Sequence, residues 1–128
     1  MAKLPTDLEI LNDIYDRYYY DFTAYTADNK IRETKIYISI DIEAIARRMG
    51  VDNDIIFGRL YYHLNNMYNY EHLDGTLVTL FTLTAGEETN CVNFPYLASI
   101  LAELREKHNK YRAALIISLI SIGIAVIS

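Results

Sequence analysis

The stretch from Asp41 to Met67, DIEAIARRMGVDNDIIFGRLYYHLNNM, constrains the fold more than any other part of the chain. Ile42, Ile45, Ala46 and Met49 recur at i, i+3, i+4 and i+7, the apolar stripe of a short amphipathic helix. Gly50 follows the last apolar position, where a left-handed C-cap is expected, and Val51 is placed to fill the gap behind it. Asp52 is a good N-cap for a second, longer helix, with Ile56, Leu60, Leu64 and Met67 as its buried stripe. Two amphipathic helices joined by a three-residue turn are therefore expected here.

The flanks fit around this pair. Thr6 and Glu9 have the spacing of a capping box, and the helix they open carries Leu8, Leu11, Tyr15, Tyr18 and Phe22 on one face. Tyr18-Tyr19-Tyr20 suggests a base-stacking platform, but such platforms sit in basic grooves, and the neighbours here are Asp13, Asp16 and Asp21. Tyr18 and Tyr19 are assigned to the core side, with Tyr20 facing elsewhere. Lys35 to Ile40 alternates polar and apolar residues, as a short half-buried strand does. Beyond the helix pair, Asp74-Gly75 predicts a hairpin closed by a type I′ turn. The run Leu77 to Leu83 has the pattern of a strand covered on both sides, and 85–92 that of a polar loop. Asn93 and Pro95 suit the start of a last helix with Leu97, Ile100, Leu101 and Leu104 on its apolar face.

With this order of elements the chain resembles the winged helix-turn-helix family over roughly residues 6 to 110. The segments IARRMGV and DNDIIFGRLYYHL match its helix pair, and YEHL-DG-TLVTLFTL matches its wing. The resemblance implies an α+β fold ordered helix-strand-helix-helix-hairpin-helix. It also implies that the second helix of the pair, at its N-terminal end, is the recognition element. The candidate recognition surface is Arg47, Arg48, Asn53, Asp54, Phe57, Arg59, Tyr61, Tyr62 and His72. In DNA-binding members Asn53 would read adenine and Asp54 would accept from cytosine. In members that bind proteins, Phe57, Tyr61 and Tyr62 would anchor the partner.

Charge separates these two expectations. The chain carries a formal charge of −5, and Asp41 to Glu71 holds three arginines against five carboxylates, leaving −2. Duplex affinity comes largely from phosphate contacts, so a protein partner is expected ahead of DNA. An enzyme is not expected, nor is a cofactor or a metal. His63, His72 and His108 have no metal spacing with the acids, the lone Cys91 has no partner in sequence, and no glycine-rich phosphate loop occurs.

From Ala113 to Ser128 the sequence has no charge and is apolar all round a helix. Residues 111–128 are expected to be a hydrophobic membrane anchor following a winged-helix domain at 1–110. Tyr111 and Arg112 would sit at the near interface. Arg105, Lys107, Lys110 and Arg112 on the near side would keep the domain in the cytoplasm. Ala114, Ser118, Ser121, Ala125 and Ser128 recur at spacings of four, three, four and three, a seam of small residues for a homodimer. The sequence thus predicts a membrane-anchored regulatory or scaffolding module, with a membrane-tethered DNA-binding regulator as the alternative.

Overall fold

The computed structural model describes residues 3–127, with side chains to Ile124. Among these residues the fold is α+β, with helices around small antiparallel sheets. Helix α1 (Asp7–Ala24) opens on the expected capping box: Thr6 Oγ1 accepts from Glu9 N–H, and the Glu9 carboxylate accepts from Thr6 N–H. These bonds hold the Glu9 carboxyl below its ordinary pKa. Its last turn carries no basic residue, and its carbonyls are met from outside. Arg32, in the following connection, donates to the carbonyls of Asp21, Phe22 and Lys35 and lies over the Tyr25 ring. This closes the helix end and folds the connection back on it.

Strand β1 (Tyr37–Ser39) leads into α2 (Ile42–Met49), capped by the Asp41 carboxylate. Ile38 and Ile40 enter the core, whereas Ile36 stays largely exposed. Gly50 ends α2 in the left-handed conformation, φ +71°, and Asp52 caps the next helix by accepting from Asp54 N–H. That helix has three parts: α3 (Asn53–Gly58), a π-helical segment Arg59–Leu64, and α4 (Asn65–Tyr68). Ile56, Leu60 and Leu64 are fully buried as expected, but Met67 is 52% exposed. The wider π turn advances the phase of the stripe, so Tyr68 packs against the core in place of Met67.

The hairpin region differs from the expectation. Asp74-Gly75 closes only a two-residue ladder between β2 (Tyr70–Glu71) and β3 (Leu77–Val78). The turn is not type I′, which needs positive φ at both central residues, because Asp74 has none. Gly75 N–H donates instead to His72 C=O across a three-residue loop, with Gly75 at φ +88°. The long hairpin comes later, from β4 (Phe81–Ala85) and β5 (Glu88–Asn93). The segment 85–92, expected as a polar loop, is thus mostly the central strand of a sheet ordered β1-β5-β4. In it Val92 pairs with both Ile38 and Phe81. Leu77 to Leu83 is not one doubly covered strand: it breaks after Val78, and Leu77 and Leu83 are exposed. Alternation misled here because β5 is polar in sequence, and only Cys91 and Val92 of it are buried.

Helix α5 (Phe94–Ile127) is capped by Asn93, whose side chain accepts from Tyr96 N–H. Leu97, Ile100 and Leu101 close the core against Ile10, Leu11 and Ile14 of α1, and Phe94 stacks on Tyr15 and Phe22. From Arg105 to Ile124 the side chains are exposed, and the helix runs on without a break at the expected boundary after 110. Glu103–Lys107 and Glu106–Lys110 pairs at i, i+4 support that exposed stretch.

The expected membrane anchor is overturned. Among the described residues no helix is long and apolar enough to cross a membrane. The charge-free end of α5, Ala113 to Ile127, reaches about 22 Å at about 1.5 Å per residue, against about 30 Å of hydrocarbon. Without a span, the basic flank at Arg105 to Arg112 no longer assigns the domain to one side of a membrane.

Candidate functional site

The exposed face of the helix 53–68 is built by three local effects. The Asp52 cap fixes where α3 starts and presents Asn53 and Asp54 to solvent. The π turn then places two successive tyrosines outside, Tyr61 at 37% and Tyr62 at 70% exposure. Asn65 holds the far end: its side-chain oxygen accepts from both Leu80 N–H (3.1 Å) and Phe81 N–H (3.0 Å), fixing the start of β4 against the helix.

Four rings meet where β4 crosses. Phe57 lies nearly parallel to Tyr61 (centroids 5.4 Å apart, 16°), and Tyr62 stands across both (6.4 Å and 86° to Phe57; 5.0 Å and 83° to Tyr61). Buried Phe81 stands nearly perpendicular to Phe57 and Tyr61, at 84° and 82°. Phe57 is therefore half core and half surface, while Tyr61 and Tyr62 remain outside. Gly58 sits within this face, and a Cβ there would only touch the Tyr62 ring, at 3.8 Å.

The remaining sequence candidates are dispersed. Arg59 points away from the ring cluster and ties down the N-terminal segment. Its guanidinium donates twice to Pro5 C=O, at 2.6 and 2.7 Å, and pairs with Asp7 at 3.5 Å. His63 joins the same carboxylate at 3.5 Å. Arg47 pairs with Glu43 one turn earlier (2.9 Å) beside a depression lined by Asp52, Asn53 and Asp54. Arg48 lines a different cleft, between α1 and α2, together with Lys3, Glu9, Asp13 and Asp16. His72 lies on the small β2–β3 hairpin with its ring against Tyr70. The structure brings together Phe57, Tyr61 and Tyr62, with Asp54 one turn before Phe57 on the same helix, at the edge of the depression that Arg47 also lines. No arginine is brought to the three rings: Arg47 lies at the Asp54 end of the face, paired with Glu43.

Sequence reasoning missed the true hairpin tip. Gly86 has φ +64°, and the Glu33 carboxylate occupies the place its Cβ would take. A glycine leading a two-residue loop is a type II′ signal, and Ala85-Gly86-Glu87-Glu88 carries it. The tip is acidic, with Glu87 and Glu88, and between Arg59 and Arg105 the chain has no lysine or arginine at all.

Cys91, expected in a loop, is buried in β5, and burial pushes its thiol pKa up, away from the reactive thiolate. Among the described residues no three His, Cys, Asp or Glu side chains gather as a metal group would require. Of the dimer-seam candidates, Ala114, Ser118 and Ser121 are exposed on α5, while the side chain of Ala125, and Ser128, lie outside the described residues. The Ser121 hydroxyl donates to Ile117 C=O within its own helix rather than outward. Comparison with protein-family models, with curated proteins and with solved structures returned no match.

Proposed function

We propose that this chain is a non-enzymatic winged-helix module that binds another polypeptide through the face carrying Asp54, Phe57, Tyr61 and Tyr62. The winged-helix reading is supported by a helix pair followed by a β4–β5 hairpin that pairs with β1. The observation that carries the binding reading is the chemistry of the face. Where a duplex reader presents cations to phosphate, this chain presents tyrosines, one carboxylate and an acidic hairpin tip. Exposed aromatic side chains backed by a rigid cluster are what protein interfaces use as anchors. Asn53 and Asp54 could still meet base edges, but Arg47 and Arg59 are held in ion pairs and Arg48 lies in a carboxylate-lined cleft. Phosphates would therefore go unneutralised.

The test is amide chemical-shift mapping of the full chain with a mixed-sequence duplex of about one and a half turns at physiological salt. The cross-peaks of Asn53 to Tyr62 and of β4–β5 should not move. Saturable shifts concentrated on those residues would replace the protein-binding reading with DNA binding.

The exposed second half of α5 is proposed to pair with a second copy along Ala114, Ser118 and Ser121. Large apolar side chains from Leu115 to Ile124 are exposed there on every side, and small residues allow close approach along one stripe.

A further inference from the structure

Resting on the protein-binding reading, we propose that the Phe57–Tyr61–Tyr62 corner, with Asp54 beside it, takes a lysine or arginine side chain from an extended partner segment. Three observations converge on a cation. The rings form a corner, two nearly parallel and one across them at 83° and 86°, and two of the three are exposed. Ring faces set at right angles surround a positive charge with negative quadrupole, the arrangement by which aromatic cages recognise ammonium groups.

Asp54 lies three and four residues before Phe57 and Gly58, hence on the same helix face. Its backbone N–H is used by the Asp52 cap, and its carboxylate, among the described residues, has no hydrogen-bond or ion-pair partner. Charge complementarity gives the third: the chain supplies no lysine or arginine from Leu60 to Leu104, and Arg47, which lines the depression beside Asp54, is paired with Glu43.

Gly58 sharpens the inference. Glycine inside a helix costs stability, and here an alanine methyl would meet only the Tyr62 ring at 3.8 Å, an ordinary contact. Packing does not require the glycine. Its missing side chain leaves the helix backbone beside the Tyr62 ring uncovered, where an aliphatic stem can approach.

The test uses the full chain and three amidated, acetyl-capped pentapeptides: Lys-Leu-Lys-Leu-Lys, the same peptide with every lysine acetylated, and the same peptide with glutamate at every lysine. Binding is followed by amide chemical shifts. The lysine peptide should shift residues 54–62 and β4 saturably, the acetylated peptide should bind at least fivefold more weakly, and the glutamate peptide should leave the face unchanged. Asp54→Asn and Tyr62→Leu should each weaken the lysine peptide about threefold or more. Gly58→Ala should weaken it while raising the melting temperature, which separates loss of that approach from loss of the fold. Equal binding of the lysine and acetylated peptides at this face would overturn the cation inference and leave the protein-binding reading intact. Shifts located elsewhere, or no binding of the lysine peptide, would also overturn the cation inference.

Discussion

Removing the Asn65 side chain should loosen the whole candidate face. One amide oxygen accepts both Leu80 N–H and Phe81 N–H, and these two residues are 0% and 1% exposed. Asn65→Ala leaves both donors without a protein partner at a part-buried site. An unsatisfied buried donor costs about 1–3 kcal/mol, and the half-buried site lets some water back, so about 2–4 kcal/mol is expected for the pair. For a chain of this size that corresponds to a fall of roughly 8–15 °C in melting temperature. Asn65→Asp keeps the acceptor in place and should remain within about 1 kcal/mol of the parent at neutral pH. Urea denaturation monitored by circular dichroism measures both variants. The reasoning fails if Asn65→Ala costs less than about 1 kcal/mol, or if the aspartate variant is as damaged as the alanine variant, since volume rather than hydrogen bonding would then be responsible.

Other consequences follow from the same contacts. Gly86→Ala should cost about 1–3 kcal/mol, because alanine is strained at φ +64° and its Cβ meets the Glu33 carboxylate; part should return in the Glu33→Ala background, and a loss unchanged there would remove the contact from the explanation. Burial raises the pKa of Tyr18, Tyr68 and Tyr96. A raised folded value means their contribution is complete below the unfolded value of about 10 and is lost as pH rises through the folded values; the buried Cys91 thiol, also raised, acts the same way from its lower unfolded value of about 8.5, so unfolding free energy should be flat from neutral pH to about pH 8 and fall above it. A decline centred near pH 7 would contradict this. If α5 pairs two copies along its small residues, Ser118→Leu with Ser121→Leu should weaken self-association in sedimentation more than Ile117→Leu with Ile120→Leu; equal effects, or a monomeric parent, would dismiss the seam.

What the sequence showed, it showed where local chemistry decides structure. The Thr6–Glu9 box, the Asp52 cap and the left-handed Gly50 all lie where caps and stops place them. The stripe Ile56, Leu60, Leu64 followed from period alone, until the π turn moved Met67 out. A π turn has no residue signature, so that slip was not readable. The hairpin was misplaced because Asp74-Gly75 is a strong local signal, whereas β5 becomes a central strand only through its two neighbours. Tertiary pairing overrode local pattern there. Phe57, Tyr61 and Tyr62 were legible as candidates, but their meeting in one corner was not, since it depends on the π turn and on Phe81 arriving from β4. The place of Arg59 is likewise set by tertiary contacts that spacing does not show: it is held by Pro5 and Asp7, far away in sequence.

The central claim is that this fold presents an interaction face lacking the cations a duplex needs. It is tested most directly by the salt dependence of duplex binding, read by fluorescence anisotropy on the full chain and on an Asp54→Lys, Glu87→Lys variant. A true phosphate contact contributes about −0.9 to the slope of log affinity against log salt. The parent should bind only weakly, with a slope magnitude below one, and the variant should gain affinity and about one unit of slope per lysine that reaches a phosphate. Submicromolar binding by the parent with a slope of several units would contradict the account.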